Sequence, residues 1–419
     1  MNKVEKRILE GSLFVYLSLV IMNSIKFSSL ITTIGSVGKL LFCLLFIGAV
    51  ILLVNKEKIK IEFIRRKESI IIFSLLLIFA TCYILLTGSR TNMLPNLAFP
   101  VYFLFYYFLV KLILRSIEIN NKWDLSKVIQ FRILSVFRKA LYINFFFWFA
   151  IAIVGRIPMF EESGGFGGFF QDEIHFGFFV VTGFLISLYF RYNDTIRDTS
   201  YFNLILLFMY GGMALFTSRN AFLIILVAVF YYFIISKIKN KFYRVFLFTI
   251  VIIGVNVNFL FQDISEKEII EITSGRYSIW VLAFEEMFAR GFLILGNGLF
   301  NLNDIILKQN QGIGLYYLDS LNSLSFHNSY VELVAGGGVI IIFFFIKIIL
   351  KTWKSLTTIN RSIVASILVG ATFESFLVQP FMLIACLFYF IIIINNTTVR
   401  VRIKKDSKEN KNRISTIIQ

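Results

Sequence analysis

Histidine, cysteine, proline and charge are all scarce in this chain. Of 419 residues only two are histidine, three cysteine and four proline, and charged side chains make up 16%. So little charge excludes an ordinary soluble domain, and 58% hydrophobic residues with a mean hydropathy of +0.78 place the chain in a membrane. Four prolines and long Phe/Ile/Leu runs favour helices over a β-barrel, which needs short alternating strands around a polar lumen. Cys43, Cys82 and Cys386 lie inside apolar runs and read as small buried hydrophobes, not as disulfide or zinc ligands. The sequence DEIH at residues 172–175 offers too few ligands for a metal and lacks the helical HExxH spacing, so Asp172, Glu173 and His175 read better as a loop-to-helix cap. No internal repeat is visible, which counts against a carrier, since many transporter folds are built from repeats.

What is abundant is hydrocarbon. A span needs roughly 17 to 25 apolar residues, and about twelve segments qualify: 9–25, 33–54, 69–88, 93–114, 140–155, 174–190, 201–216, 220–236, 245–262, 330–349, 362–377 and 379–396. The expected fold class is therefore an all-α, polytopic integral membrane protein. Its organisation divides into helices 1–9 over residues 1–261, a large extracytoplasmic loop over 262–326, helices 10–12 over 327–396, and a basic cytoplasmic tail over 397–419. MNKVEKR followed by an apolar stretch lacks a small-residue cleavage site and reads as a retained first helix. Only TSR separates the seventh and eighth segments, and only the turn at Gln379–Pro380 the last two, so each pair is expected to form a tight hairpin.

Lysine and arginine set the orientation. With both termini cytoplasmic, the basic stretches NKEKIKIEFIRRK, Lys111 to Lys139, RYNDTIRD, KIKNKFYR, KIILKTWKSLTTINR and the tail RVRIKKDSKENKNR all fall inside, as loops. The net charge of +17 is then a positive-inside pattern that meets anionic lipid, and gives no reason to expect nucleic acid. The same orientation puts both histidines, His175 and His327, on the outer side.

The long outer loop carries a pattern of its own. Within TSGRYSIWVLAFEEMFARGF, residues 273–292, Trp280, Ala283, Phe284, Met287 and Phe288 recur at helical spacing, which predicts an amphipathic helix lying on the outer surface. Arg219 in TSRNAF sits between two apolar segments, where an unpaired charge is costly and a planar fork of donors suits carboxylate or phosphate oxygens; snorkelling to headgroups is the plainer alternative. Arg276 and Arg290 are candidates to share the same anion, with Arg90 and Arg156 as weaker ones. In FHNSYVELVAGGG, residues 326–338, Ser329 and Glu332 match a capping box and the glycines permit close helix packing. That leaves His327 and Asn328 unexplained, and an imidazole fixed at a helix lip can take a proton from a hydroxyl.

An SR pair at a mid-chain helix boundary, SGRYSIW, GNG and FHNSYVELVAGGG, all between about 210 and 350, together resemble the O-antigen polymerase and ligase superfamily of bacterial surface-polysaccharide assembly. The amino-terminal half is similar only in hydropathy. The resemblance implies a GT-C-like glycosyltransferase of the bacterial inner membrane, using glycans carried on undecaprenyl pyrophosphate at the outer face, with no metal or other cofactor. It implies that Arg219 and Arg276 hold the pyrophosphate and that His327 activates the acceptor hydroxyl, with Arg290, Asn328 and Trp280 as further substrate contacts. A chain-length regulator protein and membrane lipid are the other expected partners. Polymerase is the expected activity; a ligase, a polysaccharide flippase and a scaffold without chemistry stay open.

Overall fold

Hydrocarbon has no water to take an unpaired N–H or C=O, so an apolar chain must close its backbone bonds internally. The computed structural model describes residues 3–55, 93–115, 125–160, 165–193, 197–240, 276–310 and 324–396. Within them every regular element is helical, beside two isolated β-bridges. The order is α1 (Lys3–Met22), α2 (Ser29–Asn55), α3 (Met93–Arg115), α4 (Leu125–Val154), α5 (Glu173–Tyr192), α6 (Tyr201–Ala214), α7 (Arg219–Phe233), α8 (Arg276–Ala289), α9 (Asn301–Asn310), α10 (Ser329–Trp353), α11 (Thr358–Gly370) and α12 (Leu383–Asn396). The expected spans 69–88 and 245–262, the outer loop up to residue 275, Cys82, Arg90 and the tail from 397 lie outside the described residues.

Among the described residues five helices are long and apolar enough to cross a membrane: Ser29–Leu52, Ser126–Val154, Glu173–Tyr192, Arg219–Lys237 and Ser329–Trp353. This is the architecture of a helical membrane protein. α5 is its axis. It is apolar all round, its side chains from Phe176 to Phe190 are all buried, and it packs against α4, α6, α7 and α11. α2 lies at the edge and turns Leu30, Leu41, Leu45 and Leu52 outward, where a bilayer would meet them. Buried amides join the helices: Gln130 of α4 and Asn360 of α11 donate to each other, at 2.6 and 2.8 Å.

Several boundaries differ from the sequence reading. α4 starts fifteen residues before the expected span at 140, because Ile129, Ile133, Val136 and Phe137 supply a helical apolar stripe through a stretch that its basic residues had marked as loop. The expected helix 362–377 ends at Gly370, and residues 371–382 run as turns with one 3-10 turn at Phe376–Val378. The surface helix expected around Trp280 exists as α8, but its buried stripe is Ile279, Ala283 and Met287, packed on Leu302 and Ile306 of α9 and Val331 and Ala335 of α10. Phe284 and Phe288, one residue further round, point outward. The packing partner of α8 is thus protein on its inner side.

α10 is broken. Gly338 sits at φ 66°, ψ −173°, outside helical geometry, in the middle of a span. A break strands backbone groups, and the turn after α8 collects them: Asn297 and Gly298 N–H donate to Ala335 and Gly336 O (both 2.8 Å), and Val339 N–H donates to Leu293 O at 2.9 Å. The glycines expected to admit a neighbouring helix admit this turn instead. Asn96 of α3 pins the same turn, donating to Leu299 O at 2.9 Å and accepting from Leu299 N–H at 2.7 Å.

At the start of α5, Asp172 caps His175 N–H and pairs with His175 Nδ1, each at 2.7 Å. Burial raises the Asp172 carboxyl, but the bonds to His175 outweigh it and hold the group below its ordinary value of 3.8. A depressed folded value means the stabilisation is present above the unfolded value and lost as pH falls through the folded one. Asp172→Asn, which keeps the cap, is therefore expected to melt earlier than wild type near pH 6, with the gap closing as the pH falls below the ordinary carboxylate range. Thermal unfolding in detergent at both pH values measures it; an equal gap at both removes the charge from the account.

Candidate functional site

The segment before α10 is built by capping. Asn328 takes the N-cap position in extended geometry, and its Oδ1 accepts from Tyr330 and Val331 N–H at 2.9 and 3.2 Å. The capping box expected at Ser329 and Glu332 does not form. Ser329 Oγ instead donates to Glu374 O at 2.6 Å and accepts from Leu377 N–H at 3.1 Å, while its own N–H donates to Ala371 O at 2.9 Å. Glu332 is fully buried, and its Oε1 accepts from Phe326 N–H (3.1 Å) and Asn303 Nδ2 (2.9 Å). An Asx cap one residue earlier satisfied the helix end first, which freed both side chains to tie down neighbouring chain.

Those ties fix His327 in an uncommon backbone state. Its φ is 48°, in the left-handed region that a residue with a Cβ enters only under constraint. The constraint is on both sides: Trp280 Nε1 donates to Phe326 O at 2.6 Å, and Asn328 N–H donates to Ser375 Oγ at 3.1 Å. The imidazole is thereby aimed at the turn after α11.

What it meets there is Glu374. Its carboxylate is largely buried, with 10% of the side chain exposed, and it serves two partners. Oε2 lies 3.1 Å from His327 Nδ1, and Oε1 lies 3.1 Å from Arg276 Nη2. Arg276 Nη1 also donates to Phe373 O at 2.8 Å. With Nδ1–H given to the carboxylate, Nε2 is left as the proton acceptor, and the ring is 37% exposed. A base, an orienting carboxylate and a guanidinium are the parts of a general-base site.

Arg219 does not touch this turn, but its neighbour in sequence does. The arginine opens α7, exposed, beside Ser218, whose Oγ caps Ala221 N–H, and next to Asn220, whose Nδ2 donates to Gly370 O at 3.1 Å. Gly370 and Phe373 are three residues apart, at most about 10 Å of chain. Among the described residues the Arg219 side chain has no partner. The turn 370–374 thus binds Arg276 and His327 directly, and through Asn220 it holds the start of the helix that Arg219 opens.

The other expected residues are placed differently. Arg290 lies past the far end of α8, about 21 Å along the axis from Arg276, and pairs with Glu286 at 2.7 Å. The two arginines therefore do not share one small anion. Trp280 and Asn328 hold backbone, and Arg156 lies in the turn after α4. Among the described residues no three His, Cys, Asp or Glu side chains gather as a metal set. Glu374 is the residue sequence reasoning missed; a single carboxylate inside an apolar run was its signal. No protein-family model and no curated protein matches the chain.

Proposed function

We propose that the protein is a membrane glycosyltransferase that joins oligosaccharides carried on a polyprenyl pyrophosphate, in the manner of an O-antigen polymerase. The observation that carries this is Glu374 held between His327 and Arg276 in front of the membrane-spanning helix that starts at Ser329. A lipid-borne phosphate and a water-borne sugar can meet only at the lip of such a helix. The acceptor hydroxyl oxygen attacks the anomeric carbon of the donor glycan, its proton passes to His327 Nε2, and the bond from that carbon to the pyrophosphate oxygen breaks. The leaving pyrophosphate keeps the electron pair, and Arg219 and Arg276 stabilise the charge. Glu374 fixes the imidazole tautomer and offsets the imidazolium as it forms.

Two other readings keep a foothold. A ligase would use the same chemistry on a finished chain. A transporter of lipid-linked glycan is favoured by the broken α10 and by Lys39, 4% exposed within the span Ser29–Leu52 and 3.9 Å over the Phe381 ring.

The lipid-linked glycans of cells carrying Arg219→Ala separate them. A polymerase leaves single repeat units on the lipid at the outer face; a ligase leaves full-length chains there; a transporter leaves units at the inner face. Wild-type polymer in this variant, with the protein present in the membrane, sinks the enzyme reading.

A further inference from the structure

Glu374 is asked to do two things at once. It orients His327 and it occupies Arg276, partners that reach it from two different segments. Arg276 sits on α8 and His327 at the end of the segment running into α10, around a small core of Ile279, Met287, Ile306 and Phe326. Glu374 sits in the turn that leaves the main bundle at α11.

The Arg276 contact has the form of an exchangeable one. A guanidinium in a lasting carboxylate pair usually presents two parallel N–H bonds to two oxygens. Here a single N–H reaches a single oxygen at 3.1 Å, the other goes to the Phe373 carbonyl, and 27% of the side chain is open to solvent. A phosphate takes the same donors and brings more charge. A second arginine, Arg219, opens the helix whose Asn220 bonds Gly370 of that turn; it is exposed and without a partner among the described residues, so it is free to meet that phosphate first.

We infer that Glu374 is a built-in placeholder: it holds Arg276 until a pyrophosphate takes the guanidinium, and then gives its carboxylate wholly to His327. This rests on the glycosyl-transfer reading and adds regulation to it. The carboxylate that shares its charge with Arg276 supports an imidazolium weakly; once released it supports one fully. His327 then becomes an effective base only when a donor's phosphates are in place. An empty site with its base disarmed does not activate water against passing glycan.

The test uses full-length protein in nanodiscs, with inorganic pyrophosphate as the probe. Glu374→Gln, whose neutral amide holds Arg276 less well, is expected to bind pyrophosphate about tenfold more tightly while turning over more than tenfold more slowly. Glu374→Asp should recover part of the turnover. A merely structural carboxylate would lower both quantities, and unchanged or weaker binding in Glu374→Gln overturns the exchange. Wild type supplies a reading that needs no variant. With only two histidines, ring-labelled protein gives two imidazole signals, and pyrophosphate should move that of His327 and leave that of His175; an unmoved His327 also overturns the exchange. Arg219→Ala separates the two ideas: weaker pyrophosphate binding there, without a gain in Glu374→Gln, sinks the exchange alone, whereas normal binding in Arg219→Ala sinks the glycosyl-transfer reading with it.

Discussion

Alanine at position 327 is expected to slow transfer by about 10² to 10⁴-fold, the usual contribution of a positioned general base, and to leave the protein folded in its membrane. Both halves follow from the surroundings of the ring. The imidazole is 37% exposed and its side-chain bond is to Glu374, which keeps Arg276 when the ring is removed. No buried charge is orphaned, so the large penalty for an unpaired buried ion does not arise. The left-handed backbone at φ 48° suits histidine somewhat better than alanine, so the substitution adds a modest strain. His327→Asn is the matched control, since asparagine tolerates this region better but cannot act as the base. Lipid-linked glycans of variant cells report the outcome. Single repeat units should accumulate; long polymer made by well-expressed His327→Ala protein would end the assignment of this residue as the base.

A second large effect is expected from one methyl group placed at Gly338. Its φ of 66° disfavours any side chain, and an added Cβ would stand 2.0 Å from Ile294 O and 2.6 Å from Leu295 N, both backbone atoms. Backbone cannot step aside here, because Val339 N–H is bonded to Leu293 O at 2.9 Å and Asn297 and Gly298 are bonded across the break. The strain alone is on the order of 1 to 3 kcal/mol, and opening the turn would leave its N–H and C=O groups without partners in hydrocarbon. Gly338→Ala should therefore fail to accumulate as folded protein. Gly48→Ala in α2, where the Cβ meets nothing within 4 Å, should accumulate normally. Fluorescence-detected size exclusion of the two variants measures this, and equal monodisperse peaks would show that the break tolerates a side chain.

The contrast between what was readable and what was not has a physical pattern. Long apolar runs gave the helices of α2, α5, α7 and α10 to within a few residues, since length and hydropathy decide what a bilayer accepts. His327 and Arg219 stood out as candidates because a polar group beside hydrocarbon is costly. Glu374 escaped by the same rule applied too coarsely: the run 362–377 was long enough to span, so its one carboxylate was absorbed into a helix that in fact stops at Gly370. The cap of α10 was misassigned because Asn328 and Ser329 are both good capping residues, and only the demand of Leu377 and Glu374 on the serine decides between them. Which face of α8 is buried depended on α9 and α10, and no periodicity within α8 carries that information.

The break in α10 also has a consequence for how the chain is made. From Val339 to Trp353 the helix rises only about 22 Å, short of the roughly 30 Å of bilayer hydrocarbon, so this portion is a poor candidate for insertion unaided. The strap of residues 293–298 leaves the ribosome before it, already carrying the amide and carbonyl groups that α10 will need. Biosynthesis thus delivers the receptor ahead of the segment it receives, and a circular permutation that reversed their order should insert badly even though the finished contacts would be the same.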